Sequence, residues 1–233
     1  MSIHDGHRQR LKNRFLSEGL DHFEEIQVLE LLLFYCIPRQ DTNPVAHRLL
    51  DHFGSLTQVL EASPEELKKV SGIGDSVATF LSLVTAVGRY YSVKQQNGDV
   101  NILSDLEACG RYLTPYFRSR RNETVFILCM DAKCKVLCCK EVGEGSVNSA
   151  AVPIRRIVEM ALGANATSVV IAHNHPSGVA VPSNEDIQTT RRLAMALSAV
   201  EITLIDHMVV ADDDFVSMRQ SGVYDPGRCQ VFM

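Results

Sequence analysis

The sequence has no apolar run of membrane-spanning length. Its most apolar stretch, Val28 to Ile37, falls well short of the roughly 20 residues that a spanning helix needs and contains Glu30. The opening residues, Met1-Ser2-Ile3-His4-Asp5-Gly6-His7, lack the basic start and apolar region of a secretory signal. A cytoplasmic protein without a membrane partner is therefore expected. Basic excess is also missing: 23 Lys and Arg stand against 28 Asp and Glu, a net charge of −5. Phosphate binding wants a basic surface, so this balance gives no help to a nucleic-acid reading. Seven cysteines are an odd number at irregular spacings, which argues against a disulfide framework. Cys129, Cys134, Cys138 and Cys139 cluster, but without the paired C-x-x-C spacing of a zinc ribbon and without a histidine close by in sequence. Buried strand thiols in a reducing compartment explain them better, and they are assigned no function.

What remains is a chain of 233 residues with ordinary apolar content, long enough for one large or two modest domains. It divides near residue 97, where Gln95-Gln96-Asn97-Gly98-Asp99 is polar, lacks periodicity and reads as a linker. Residues 1–97 read as all-helical. Arg10 to Glu18 is a short basic amphipathic segment, and Glu24 to Cys36 is strongly apolar until Pro38. Asn43-Pro44 opens a helix that Phe53-Gly54 closes. Ser55 to Leu60 is a further short helix, and Ser63-Pro64-Glu65-Glu66 is a capping box. Residues 102–226 read as mixed α and β. Helices are expected over Asp105–Phe117, Pro153–Leu162 and Ser183–Val200. Strands are expected over Thr124–Met130, Val136–Val142, Ser168–Ala172, Ile202–Ile205, Met208–Ala211 and Phe215–Met218. The economical arrangement is a central mixed sheet flanked by helices, an α/β domain behind an all-α one.

The chemistry concentrates at His173-Asn174-His175-Pro176-Ser177-Gly178, Pro182-Ser183 and Asp186. Two imidazoles and a carboxylate are the ligand types zinc accepts when it keeps an open position for water. The apolar, β-branched run Ser168–Ala172 places the histidines at or just past a strand end, and alternation at period two puts both on one side with Asn174 pointing away. Asp186 falls in the first turn of a new helix with Ser183 as N-cap, after a loop long enough to bring its carboxylate back. Two histidines one residue apart can also simply cap a strand in a polar loop. The Pro and Gly that follow, and the acid on a fresh helix start, weigh against that.

His173, His175, Pro176, Pro182, Ser183 and Asp186 together resemble the JAMM signature of the JAB/MPN metalloproteases. The wider pattern, with Gly145-Ser146-Val147-Asn148-Ser149 before the motif and Leu204-Ile205-Asp206-His207-Met208-Val209 after it, is similar to a bacterial branch, the RadC family, also called UPF0758. The resemblance covers nearly the whole chain. It implies a JAMM/MPN-like fold over residues 102–226 and one zinc per chain held by His173, His175 and Asp186. It also implies a zinc-dependent hydrolase, a peptidase or isopeptidase. In the family a glutamate just before the first core strand accepts the proton of the attacking water, and Glu123 stands in that position. The family's serine, here Ser183, stabilises the tetrahedral intermediate. Read from the residues alone, Glu123 is equally an exposed acid after the basic run Arg118-Ser119-Arg120-Arg121, and Ser183 is equally an N-cap. Glu141, Glu144 and Glu159 compete for the role of base. Asp206-His207 reads as a polar strand end, with a supporting or substitute-ligand role as the alternative.

Other readings stay open. Val70-Ser71-Gly72-Ile73-Gly74, followed by a helix from Ser76, resembles a helix-hairpin-helix, in which glycines let backbone N–H groups approach a DNA phosphate. Gly72, Ile73 and Gly74 are thus candidates for DNA contact. Asp75, however, stands where a basic residue would favour phosphate, and residues 1–97 hold ten Lys and Arg against twelve Asp and Glu. Weak contact at most is expected. The RadC family is linked by name to DNA repair, so a DNA-binding or nuclease function is one alternative and a non-catalytic MPN scaffold another. The substrate and the oligomeric state are not legible.

Overall fold

The computed structural model describes residues 3–38, 40–97, 102–144 and 153–229. The run Gly145–Ser149 lies outside them. The chain forms two compact units, Met1–Gly88 and Arg89–Met233, with the division falling inside a helix.

The first unit is helical. It contains α1 (Ile3–Glu18), α2 (Glu25–Cys36), α3 (Asn43–Phe53), α4 (Leu56–Glu61), α5 (Pro64–Leu67) and the start of α6 (Asp75–Asn97). The amphipathic segment around Arg10 is part of a longer helix than its basic pattern indicates. Ser63 and Glu66 exchange the two hydrogen bonds of a capping box at α5. Leu29, Leu33, Leu49, Leu67 and Leu81 are fully buried at the centre of this unit. Gly72 turns the chain between α5 and α6 with φ +96°, and a Cβ there would meet Arg48 Nη2 at 3.1 Å and Val45 Cγ2 at 3.3 Å. Polar Gln95-Gln96-Asn97, expected as linker, continue α6 to its end. Local polarity did not end a helix already propagating over many residues.

The second unit is a five-stranded mixed sheet in the order β2-β1-β3-β4-β5. The strands are β1 (Thr124–Met130), β2 (Val136–Glu144), β3 (Ser168–Asn174), β4 (Thr203–Ala211) and β5 (Asp214–Ser217). β1 pairs antiparallel with β2 and β3, β3 pairs parallel with β4, and β4 pairs antiparallel with β5. The helices are α7 (Leu106–Leu113), continued by a 3-10 turn over Thr114–Phe117, then α8 (Ile154–Gly163) and α9 (Asn184–Ser198). Alternation sorts the strand residues between two cores. Val125, Ile127, Val169, Ile171 and Leu204 pack on α8 and α9 through Ile157, Ala161, Leu193 and Leu197. Phe126, Leu128, Val170, Ala172 and Met208 pack on α7 and the 3-10 turn through Leu113 and Phe117. β1 and β3 are buried along their whole length because each has a strand on both sides and a helix on both faces. α7 approaches so closely that a Cβ on Gly110 would lie 2.2 Å from the ring of Phe215.

Two expected strands over Ile202–Ile205 and Met208–Ala211 are one, because Asp206 and His207 lie inside β4. The polar pair is a buried strand centre, not a strand end. Among the described residues no helix is long and apolar enough to cross a membrane.

Candidate metal centre

β3 carries the histidines to the rim of the sheet. Its central position, and the pairing of Val125 with His173 and of His173 with Val209, hold the backbone from both sides. The His175 N–H donates to the Val210 carbonyl at 2.8 Å, so pairing continues one step past the strand. The chain then turns, with the Gly178 N–H on the His175 carbonyl at 3.1 Å and Gly178 at φ +78°. It returns at α9. There Ser183 is the N-cap, accepting the Asp186 N–H on Oγ at 3.1 Å, while the Ser183 N–H and O–H donate to Asp186 Oδ2 at 2.7 and 2.8 Å. Asp186 is therefore pinned by the cap that starts its own helix.

These elements bring three donors together. His173 Nε2 lies 3.0 Å from His175 Nε2 and 3.3 Å from Asp186 Oδ1, and His175 Nε2 lies 3.6 Å from Asp186 Oδ2. For zinc–ligand bonds of about 2.0–2.1 Å, the edge of a tetrahedron is about 3.3 Å, so the donor set fits one zinc-sized ion. Exposure is uneven: the His173 and Asp186 side chains are 2% exposed and that of His175 15%, which opens the triangle on the His175 side. Among the described residues this is the only group of His, Cys, Asp and Glu placed to hold a metal. The described cysteines form none. Cys129 and Cys138 face each other across β1 and β2, and burial pushes the Cys129 thiol up to about 12.

Hydrogen bonds orient the donors. His175 Nδ1 is 2.9 Å from the Val179 carbonyl, which can only accept, so its proton is on Nδ1 and Nε2 faces the triangle bare. His173 Nδ1 is 2.8 Å from His207 Nε2. Burial, together with the nearby charge of a protonated His173, pushes the His207 imidazole down to about 3, so it is neutral near pH 7. Burial raises the Asp186 carboxyl pKa, but His173 and the two Ser183 donors more than offset that and hold it below the usual carboxylate range. The triangle thus presents two imidazole Nε2 atoms and one carboxylate.

Glu123 immediately precedes β1. It stands two residues before Val125, which pairs with His173. The residues on either side of it are tied to Asn174. The Asn174 side chain turns away from the triangle, accepts the Thr124 N–H at 2.8 Å, and reaches the carbonyls of Asn122 and Arg120 at 3.3 and 3.4 Å. Of the other acids, Glu141 pairs with Arg120 at 2.8 Å, Glu144 accepts from Asn122 at 2.9 Å, and Glu159 pairs with Arg155 at 2.8 Å on the exposed side of α8.

Asp206 and His207 part ways. His207 supports His173, while Asp206 accepts from Ser217 Oγ, from the Arg219 N–H at 2.9 Å and from the His207 N–H at 2.8 Å, tying the end of β5 to β4. In the helical unit, Gly72, Ile73 and Gly74 form one tight turn. Ile73 is buried in the core, Arg48 Nε donates to the Ser71 carbonyl at 3.0 Å, and Lys68 pairs with Asp75 at 3.1 Å.

Fold and donor set define a JAB-type α/β domain with a candidate metal centre at the exit of its central strand. The chain belongs to the RadC-like JAB-domain family, whose model matches residues 103–223. It is 31% identical to a UPF0758 protein of Fusobacterium nucleatum over 94% of this chain and 97% of that protein. It is 34% identical to a UPF0758 protein of Ruegeria pomeroyi, over 93% of this chain and 96% of that one. A UPF0758 protein of Rhodobacter capsulatus is also 34% identical, over 91% and 99%.

Proposed function

We propose that this protein is a zinc-dependent hydrolase of JAMM type that cleaves an amide bond, in a peptide or an isopeptide. The observation that carries the reading is the donor triangle, sized for zinc and open on the His175 side. A zinc ion held there supplies a Lewis acid and lowers the pKa of water in its open position to about 7.

The chain's own residues do the rest. Glu123, one residue before β1, accepts a proton as water attacks the scissile carbonyl and delivers it to the leaving amine. Ser183 holds Asp186 in place, and its hydroxyl, turned from Asp186 Oδ2, donates to the developing oxyanion. An amide is favoured over a phosphodiester because Arg118 and Arg120, on the segment that leads to Glu123, are paired with Asp213 at 3.0 Å and Glu141 at 2.8 Å. A scaffold without catalysis has no use for a ligand set with both imidazoles oriented inward.

The test is elemental analysis of protein purified without added metal, joined to a screen of peptide and isopeptide libraries. One zinc per chain is expected, with turnover that the Glu123→Gln variant loses while keeping its zinc. Turnover equal in wild type and variant removes Glu123 from the mechanism, and zinc-loaded wild type inert on both libraries sinks the peptidase reading.

A further inference from the structure

We propose that Thr190 and His207 are positioning residues that fix His173 as its Nδ1–H tautomer and so keep Nε2 bare for a metal. The inference rests on the reading of His173 as a ligand and adds the device that prepares it. Thr190 sits one turn after Asp186 in α9, fully buried, with Oγ1 at 2.6 Å from the Asp186 backbone carbonyl and 2.5 Å from His207 Nδ1.

Hydrogen counting gives the direction of the chain. A threonine hydroxyl has one proton, and a carbonyl oxygen can only accept. Two oxygens at 2.6 Å that both offered lone pairs would repel, so the Thr190 proton points at the Asp186 carbonyl. Met218 Sδ, at 3.6 Å, is a longer and weaker acceptor. Thr190 Oγ1 then has only lone pairs for His207, so His207 Nδ1 must carry the hydrogen it shares. In the neutral ring His207 Nε2 is bare, and it can only accept from His173 Nδ1–H, 2.8 Å away. A His173 ring with a single N–H therefore carries it on Nδ1. His173, Thr190 and His207 are all buried, so no solvent offers a substitute partner at these atoms.

The consequence is preorganisation. With the other tautomer, His173 Nε2–H would point at Asp186 Oδ1, 3.3 Å away, and a metal would have to displace that proton before binding. The relay removes this competitor. Asp186 acts twice, its carboxylate facing the triangle and its backbone carbonyl setting the direction of the relay. Partners of ligating histidines usually fix the tautomer in this way, though a carboxylate or carbonyl is commoner than a second imidazole.

The experiment has two arms. In zinc-free full-length protein with isotope-labelled histidines, two-bond proton–nitrogen correlation spectra report which ring nitrogen carries the proton. His173 and His207 are both expected as Nδ1–H. In the second arm, zinc affinity is measured by chelator competition for wild type, Thr190→Val and Thr190→Ser. Valine keeps the shape without the hydroxyl and should lose about 10- to 100-fold in affinity, the usual cost of removing such a partner, while serine should restore most of it. A wild-type His173 protonated on Nε2, or a Thr190→Val variant that binds zinc as tightly as Thr190→Ser, overturns the relay. Wild type that binds no zinc sinks the metal reading instead, and the spectrum of the zinc-free protein still decides the relay.

Discussion

Asn174 lies between the two histidines yet takes no part in the triangle, and its substitution isolates what holds the base. In Asn174→Ala the Thr124 N–H loses its acceptor at 2.8 Å, and both residues are buried. An unsatisfied buried N–H costs about 1–3 kcal/mol. The two contacts to Asn122 and Arg120, at 3.3 and 3.4 Å, are too long to add much. For a domain of this size about 1 kcal/mol moves Tm by roughly 2–4 °C, so a fall of about 2–12 °C is expected in calorimetry. The same loss frees residues 120–124, and a displacement of Glu123 by about 1 Å is enough to cost up to about 10²-fold in turnover. Zinc content should not change, because the Asn174 side chain turns away from the donors. Asn174→Asp separates the two effects. It keeps an acceptor for Thr124 but sets a carboxylate against two carbonyl oxygens, so it should damage turnover more than strand pairing. An Asn174→Ala protein that melts and turns over like wild type would refute the view that this amide holds the Glu123 segment.

Four further outcomes are expected. Zinc should be lost from a His173→Ala, His175→Ala double variant by elemental analysis, and its retention would move the metal to other residues. Glu123→Gln should lower turnover by about 10² to 10⁴ with zinc and fold intact, which steady-state kinetics beside calorimetry will check. Burial raises the Asp206 carboxyl pKa above its ordinary value, against its three donors, so the folded state holds that proton more tightly than the unfolded chain. The carboxyl therefore loses stability as pH rises from about 4 through its folded pKa, and Asp206→Asn should gain on wild type in Tm at pH 7 relative to pH 4. Gly110→Ala should lower the Tm despite alanine's helix preference of about 1 kcal/mol over glycine, since its Cβ would meet the Phe215 ring. A Tm unchanged or raised would show that the ring moves freely.

The sequence carries the sheet well where its signals are local. The β-branched run Ser168–Ala172, the cap at Ser183 and the apolar stretch Thr124–Met130 each lie in the element they predict. The grouping of His173, His175 and Asp186 is legible for the same reason, since a strand end, a turn and a helix start lie within one short segment. What was hidden depends on distant partners. Asp206 and His207 look like an interruption because buried strand centres are normally apolar, and only Ser217, Arg219, Thr190 and His173 make them affordable there. Thr190 itself shows nothing in sequence beyond a threonine inside a helix. The part played by Asn174 depends on Thr124, 50 residues away. One cue was available: a histidine beside an acid in the middle of an apolar run is costly to bury and points to a partner across the sheet.

The triangle gathers its donors from one short stretch, whereas Glu123 and His207 come from strands far away in the chain. Gripping an ion and using it are therefore separable in time and in heredity. Closing a loop of this length costs the unfolded chain about 3 kcal/mol of entropy, which the folded β3 and the cap of α9 have already met. A substitution at Glu123 can then silence the chemistry and leave the ion seated, whereas one at His207 loosens the ion itself. Metal content would report on the triangle and its relay through β4, and only turnover would report on the approach to β1.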